Sequence, residues 1–148
     1  MEKIKGTVTK VRNTSQVSGG GRDGHVSTSH ISMFQIDKQQ VKVKSAEPPM
    51  IDENDFVAVA GKIKNGVFNA YAYKNATTGV SGNAGILIYF LFGLLLPGAG
   101  VFALTTFSEP FFGILPKILG PIFIIVGLFM LYHGTQVLKA KNLLITDN

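Results

Sequence analysis

Two long runs without a charged side chain, residues 84–107 and 118–138, limit this sequence more than any other feature. As helices they reach about 36 Å and about 31 Å, against a hydrocarbon core of about 30 Å. Both can span a bilayer, with Tyr132 and His133 of the second run at its interface. The preceding residues form at most one small domain, too little to wrap two such helices in a soluble core. Ser108, Glu109, Pro110, Pro116 and Lys117 make a short connection, so the spans must run antiparallel as a transmembrane hairpin.

Charge distribution orients the hairpin. Eleven Lys/Arg precede the first span and Lys139 and Lys141 follow the second, whereas Lys117 in the connection is opposed by Glu109. The positive-inside rule then puts both termini in the cytoplasm, in a multi-pass protein of a bacterial-type inner membrane. No apolar stretch at the N-terminus resembles a cleaved signal peptide, so the first domain is expected to stay where it is made.

Glycines recur along the spans, at Gly93 and Gly100 in the first and at Gly120, Gly127 and Gly134 in the second. Lipid gives helices no hydrophobic drive to associate, so small residues that allow close backbone approach mark the packing face. Contact between the two spans of one chain is favoured over a homo-oligomer contact. Pro97, beside Gly98 and Gly100, is expected to kink or unwind the first span. No ionisable residue lies at that depth, which makes a channel or transporter subunit the weakest reading.

The soluble part, residues 1–76, is followed by a linker over 77–83 and, after the spans, by a cytoplasmic tail over 139–148. Alternating, β-branched residues predict strands over 3–12, 31–37, 40–44, 56–63 and 67–74, with a type I′ turn at Asn65-Gly66. An all-β unit of five short strands protects its edges best as a closed barrel. The fold class is therefore a small five-stranded barrel joined to a helical transmembrane hairpin. Gly6-Thr7-Val8, the run from Asn54 to Gly61, and the Asn65-Gly66 hairpin leading to Tyr71 and Tyr73 resemble an OB-fold. The pairing of such a barrel with membrane spans resembles the architecture of NfeD-type membrane proteins with the domain order reversed. The likeness covers architecture only.

Candidate chemistry is sparse. The absence of cysteine removes disulfides, thiolate nucleophiles and Cys-type zinc sites. Gly19 to Gly24 contains a GxGxxG pattern, but no helix or Lys-Ser/Thr follows it, so it reads as a loop rather than a phosphate cradle. In an OB-like barrel this loop lines the binding cleft, which singles out Arg22. His25 and His30, five residues apart, lack the partners of a zinc or Ser-His site and read as solvated loop residues, with His133 alone. Asp52, Glu53 and Asp55 read as a solvated turn beside Pro48 and Pro49. No catalytic site, metal site or cofactor is expected.

Lys42 and Lys44 alternate with valines, and Tyr71 and Tyr73 with alanines, so each pair should lie along one sheet face. Cations and aromatics together are what single-stranded nucleic-acid binders use. The alternative makes the tyrosines half-core residues and the lysines solvated. Arg22, His30, Lys42, Lys44, Tyr71 and Tyr73 are the binding candidates. The expected function is a non-enzymatic, membrane-anchored recognition or scaffold module whose partners are the lipid bilayer and another protein. A membrane-tethered nucleic-acid binder is the alternative.

Overall fold

The computed structural model describes residues 1–18, 27–45, 47–107 and 113–146. The chain divides into two units, one formed by Met1–Gly85 with Val137–Asn148 and the other by Ile86–Gln136. In chain order the elements are β1 (Glu2–Ser18), β2 (Ser27–Ile36), β3 (Gln39–Ser45), β4 (Phe56–Lys64), β5 (Val67–Asn75), β6 (Ser81–Asn83), α1 (Ile86–Thr106) and α2 (Leu115–Ile145).

In the first unit, β1 serves two partners. Residues 2–7 pair with β4 and residues 8–18 with β2, both antiparallel. Just beyond this division a bulge interrupts the β2 pairing between Thr9 and Arg12, where Lys10 adopts φ 55°. An extra residue there bends the strand sharply enough to pass from one side of a barrel to the other. A short parallel pairing of Val41–Val43 with Phe68–Ala70 closes the ring in the order β1-β2-β3-β5-β4-β1. Asp37 and Lys38 are both in the left-handed region, as are Asn65 and Gly66, so both tight hairpins turn through the twist-matched type I′ geometry.

Val8, Phe34, Ile36, Val41, Ile51, Val57, Val59 and Phe68 fill the interior. A second bulge interrupts the β4–β5 pairing. Ala60 faces Ala72 and Gly61 faces Ala70, which leaves Tyr71 without an opposite residue. Gly61 is required there because a Cβ would overlap the Asn69 carbonyl oxygen. The short β6 lies along β5, and Gly82 leaves room for the Tyr73 ring, which a Cβ would meet at 2.5 Å.

The unit extends beyond residue 76 and includes part of the expected tail. β6 occupies the stretch read as a linker, and residues 139–145 continue α2 rather than forming a free end. Val137, Ala140 and Leu144 are buried, and the last two pack with Ala60 and Ala72, against which Ala58 and Tyr71 also lie. Small side chains on the outer barrel surface make it flat enough to receive a helix. Lys3 Nζ also donates to the Leu143 carbonyl oxygen at 3.3 Å.

The second unit is a helical hairpin. α1 and α2 are both long and apolar enough to cross a membrane, and most of the residues in their apolar stretches are not buried. All five glycines of the two stripes turn toward the other helix. A Cβ on Gly93 would meet Leu131 at 2.7 Å, one on Gly100 would lie 2.6 Å from the Gly120 carbonyl oxygen, and one on Gly120 would lie 2.6 Å from Leu104. Gly127 lies against the Pro97 ring, and Gly134 against Tyr89 and Phe90. α1 continues through Pro97 without unwinding, and Gly127 leaves room for the proline ring.

Candidate functional site

Around β1, β2 and β3 the inward positions are taken by Val8, Ser32, Phe34, Ile36, Val41 and Val43, which are buried. Their neighbours in the pleat therefore turn outward, and cross-strand register aligns them in rows. Arg12 faces Met33 and Met33 faces Lys42; Thr14 faces Ile31 and Ile31 faces Lys44. Each row runs from a polar or cationic side chain across a partly covered apolar one to a lysine. Thr9, Gln35 and Gln40 form a third, uncharged row.

Where the β1 bulge lifts Lys10 away from the ladder, a concavity of about 550 Å³ opens, lined by Lys10, Arg12, Met33, Gln35, Gln40 and Glu53 among others. Lys10 and Arg12 line the concavity with Glu53, and Lys42 and Lys44 add positive charge along the same outer face. Holding a lysine in the left-handed region costs about 1–2 kcal/mol per residue relative to glycine. Arg12 and the residues around the concavity escaped the sequence reading because simple alternation carries no sign of a bulge.

The sequence-predicted binding residues do not form one site. Lys42 and Lys44 share the outer face of β3. His30 lies on the opposite side of β2 from that face, with Nδ1 3.1 Å from the Ser15 hydroxyl. Tyr73 joins the barrel core and is 5% exposed, while Tyr71 packs beside the C-terminal turns of α2. The expectation that the two tyrosines lie along one face thus fails at the bulge opposite Ala60 and Gly61, which reverses the alternation between residues 70 and 73. Arg22, His25 and the GxGxxG segment lie outside the described residues.

In the acidic turn Asp52 and Glu53 are exposed, as a solvated turn requires, and Asp55 is not. Asp55 is 8% exposed, and its Oδ2 accepts the Asn75 amide at 2.7 Å and the Asp52 N–H at 2.9 Å. Asn75 Nδ2 donates in addition to the Met50 carbonyl, and its Oδ1 accepts the N–H groups of Thr77 and Thr78. This knot ties the start of β4 to the end of β5. His133 stacks on Tyr89 and meets Phe129 and Tyr132 edge-on. Among the described residues no group of three or more His, Asp or Glu could hold a metal ion.

Comparison with protein-family models, curated proteins and solved structures finds no match to this chain.

Proposed function

We propose that this chain is a non-enzymatic recognition module, anchored in a bacterial-type inner membrane, whose OB-like barrel binds an acidic segment of another protein in the cytoplasm. The observation that carries the reading is the outer face of β1, β2 and β3, where Arg12, Lys42 and Lys44 flank Met33 and Ile31 beside a concavity. Apolar contacts framed by cations suit a peptide that combines acidic and hydrophobic side chains. The ring order, with β3 parallel to β5, and the position of this face on β2 and β3 support the OB-like description. The likeness to NfeD-type proteins remains one of architecture.

Anchoring is supported by the two apolar helices and their unburied surfaces. Residues 81–83 and 137–145 belong to one folded unit, so a hairpin that crosses the membrane has both flanks on the same side. Lys139 and Lys141, with no carboxylate within 137–145, support the cytoplasm as that side.

Nucleic acid is the second reading, favoured by the same cations. Stacking platforms do not support it, because no Phe or Tyr projects from this face among the described residues. A photo-reactive side chain in place of Met33, activated in native membranes, should give a protease-sensitive adduct that the R12E/K42E pair abolishes. A nuclease-sensitive adduct would install the nucleic-acid reading instead, and no adduct at all would remove this face from function.

A further inference from the structure

A second concavity in the barrel unit, about 250 Å³, lies where β5, β6 and the last turns of α2 meet. Pairing of Lys74 with Ser81 and of Ala72 with Asn83 turns these four side chains to one surface. α2 adds Lys141, Leu144 and Ile145. The walls thus combine two lysines and the polar side chains of Ser81 and Asn83 with apolar carbon, and among the described residues no carboxylate lines them.

We propose that this pocket binds the phosphate of an anionic phospholipid headgroup. Lys141 supplies charge-assisted hydrogen bonds to the phosphate oxygens and Ser81 a neutral one, with Lys74 and Asn83 on the same wall. Chain continuity sets the level of the site. Asn83 stands three residues before α1, and Lys141 stands three residues beyond the expected end of the second span at Leu138. The pocket is therefore built from juxtamembrane segments, where headgroups are the most abundant phosphate. The inference rests on the membrane reading above.

The test uses the full chain, reconstituted with equal amounts of phosphatidylglycerol and phosphatidylcholine, extracted in mild detergent, and assayed for retained lipid by mass spectrometry. Wild type should keep phosphatidylglycerol over phosphatidylcholine. K141Q, at an exposed helix position, should lower that preference about five-fold, the weight of one cation near an anionic surface. K74Q/K141Q should abolish it, whereas K62Q/K64Q, on β4 away from the pocket, should leave it intact. Equal retention of both lipids, or an unchanged preference in K141Q with an unaltered melting curve, would overturn the proposal. So would displacement of phosphatidylglycerol by millimolar inorganic phosphate, which would assign the site to a free anion. Vesicle flotation separates the two readings: wild type that does not float defeats the membrane anchor itself, while wild type that floats without a lipid preference defeats only this site.

Discussion

The Asn75 amide donates a 2.7 Å hydrogen bond to the Asp55 carboxylate, and both side chains are buried in the barrel unit. Because Asn75 also holds Met50, Thr77 and Thr78, this one side chain joins the loop before β4 to the turn after β5. Asn75→Ala leaves a buried carboxylate short of a donor and should cost about 1–3 kcal/mol. Asp52→Ala, which keeps the backbone N–H that Asp55 uses, should stay within about 0.5 kcal/mol. Denaturant melts of the two variants check this, and equal effects would mean that the knot contributes nothing special. The same geometry makes the Asn75-Ala76-Thr77 sequon a poor glycosylation acceptor, since Nδ2 already serves two acceptors.

Of the five stripe glycines, Gly127 leaves the least room for a side chain. Its missing side chain accommodates the Pro97 ring, so Gly127→Leu must push the helices apart and should cost about 1–3 kcal/mol by overpacking. The contact lies within one chain, so the variant should lose thermal stability in detergent while its oligomeric state in sizing experiments stays that of wild type. Ile125→Leu, at a position 67% exposed, serves as the tolerated control. Dissociation of an oligomer by the glycine variant would instead move the stripe to an interface between chains.

Tyr73 gives the barrel a pH limit. Burial raises its phenol above the ordinary value of 10.0; a backbone hydrogen bond with Met50 works in the opposite direction, and the nearby Glu47 carboxylate adds to the rise. A folded-state pKa above the unfolded one means that the native barrel holds this proton more tightly. Its contribution is therefore fully present below about pH 10 and is lost as pH rises toward the folded value. Tyr73→Phe should melt at a lower temperature by the loss of a hydrogen bond, yet decline less steeply than wild type above about pH 10. Parallel declines would remove the phenol from the account.

Much of this arrangement can be read from residue order alone. Charge-free runs and glycine spacing identify the two helices and the residues between them, because those features answer to the length and backbone needs of a helix. Alternation and Asn65-Gly66 likewise locate β4 and β5. What alternation cannot carry is an irregularity in itself. The bulges at Lys10 and opposite Gly61 each shift the pattern by one residue, which moves Arg12 to the outer face and Tyr73 to the core. Asp55 looks like any loop acid until Asn75, twenty residues away, is brought against it. The helical end of α2 was hidden for a related reason: its Lys139 and Lys141 resemble a solvated tail, while the stripe of Val137, Ala140 and Leu144 has meaning only beside the alanines of β4 and β5.

That last contact also fixes a schedule. Synthesis runs from the N-terminus, so strands β1 to β6 leave the ribosome before the hairpin, and residues 137–145 leave after it. The surface of Ala58, Ala60, Ala72 and Tyr71 therefore stays bare while the hairpin is made and is sealed only when the last turns of the second helix have been delivered. A nascent chain whose hairpin stalls keeps an uncovered apolar patch on an otherwise finished barrel. Completion of the hairpin is thus legible on the barrel, as a patch that a protease or chaperone can find on failed chains and not on successful ones.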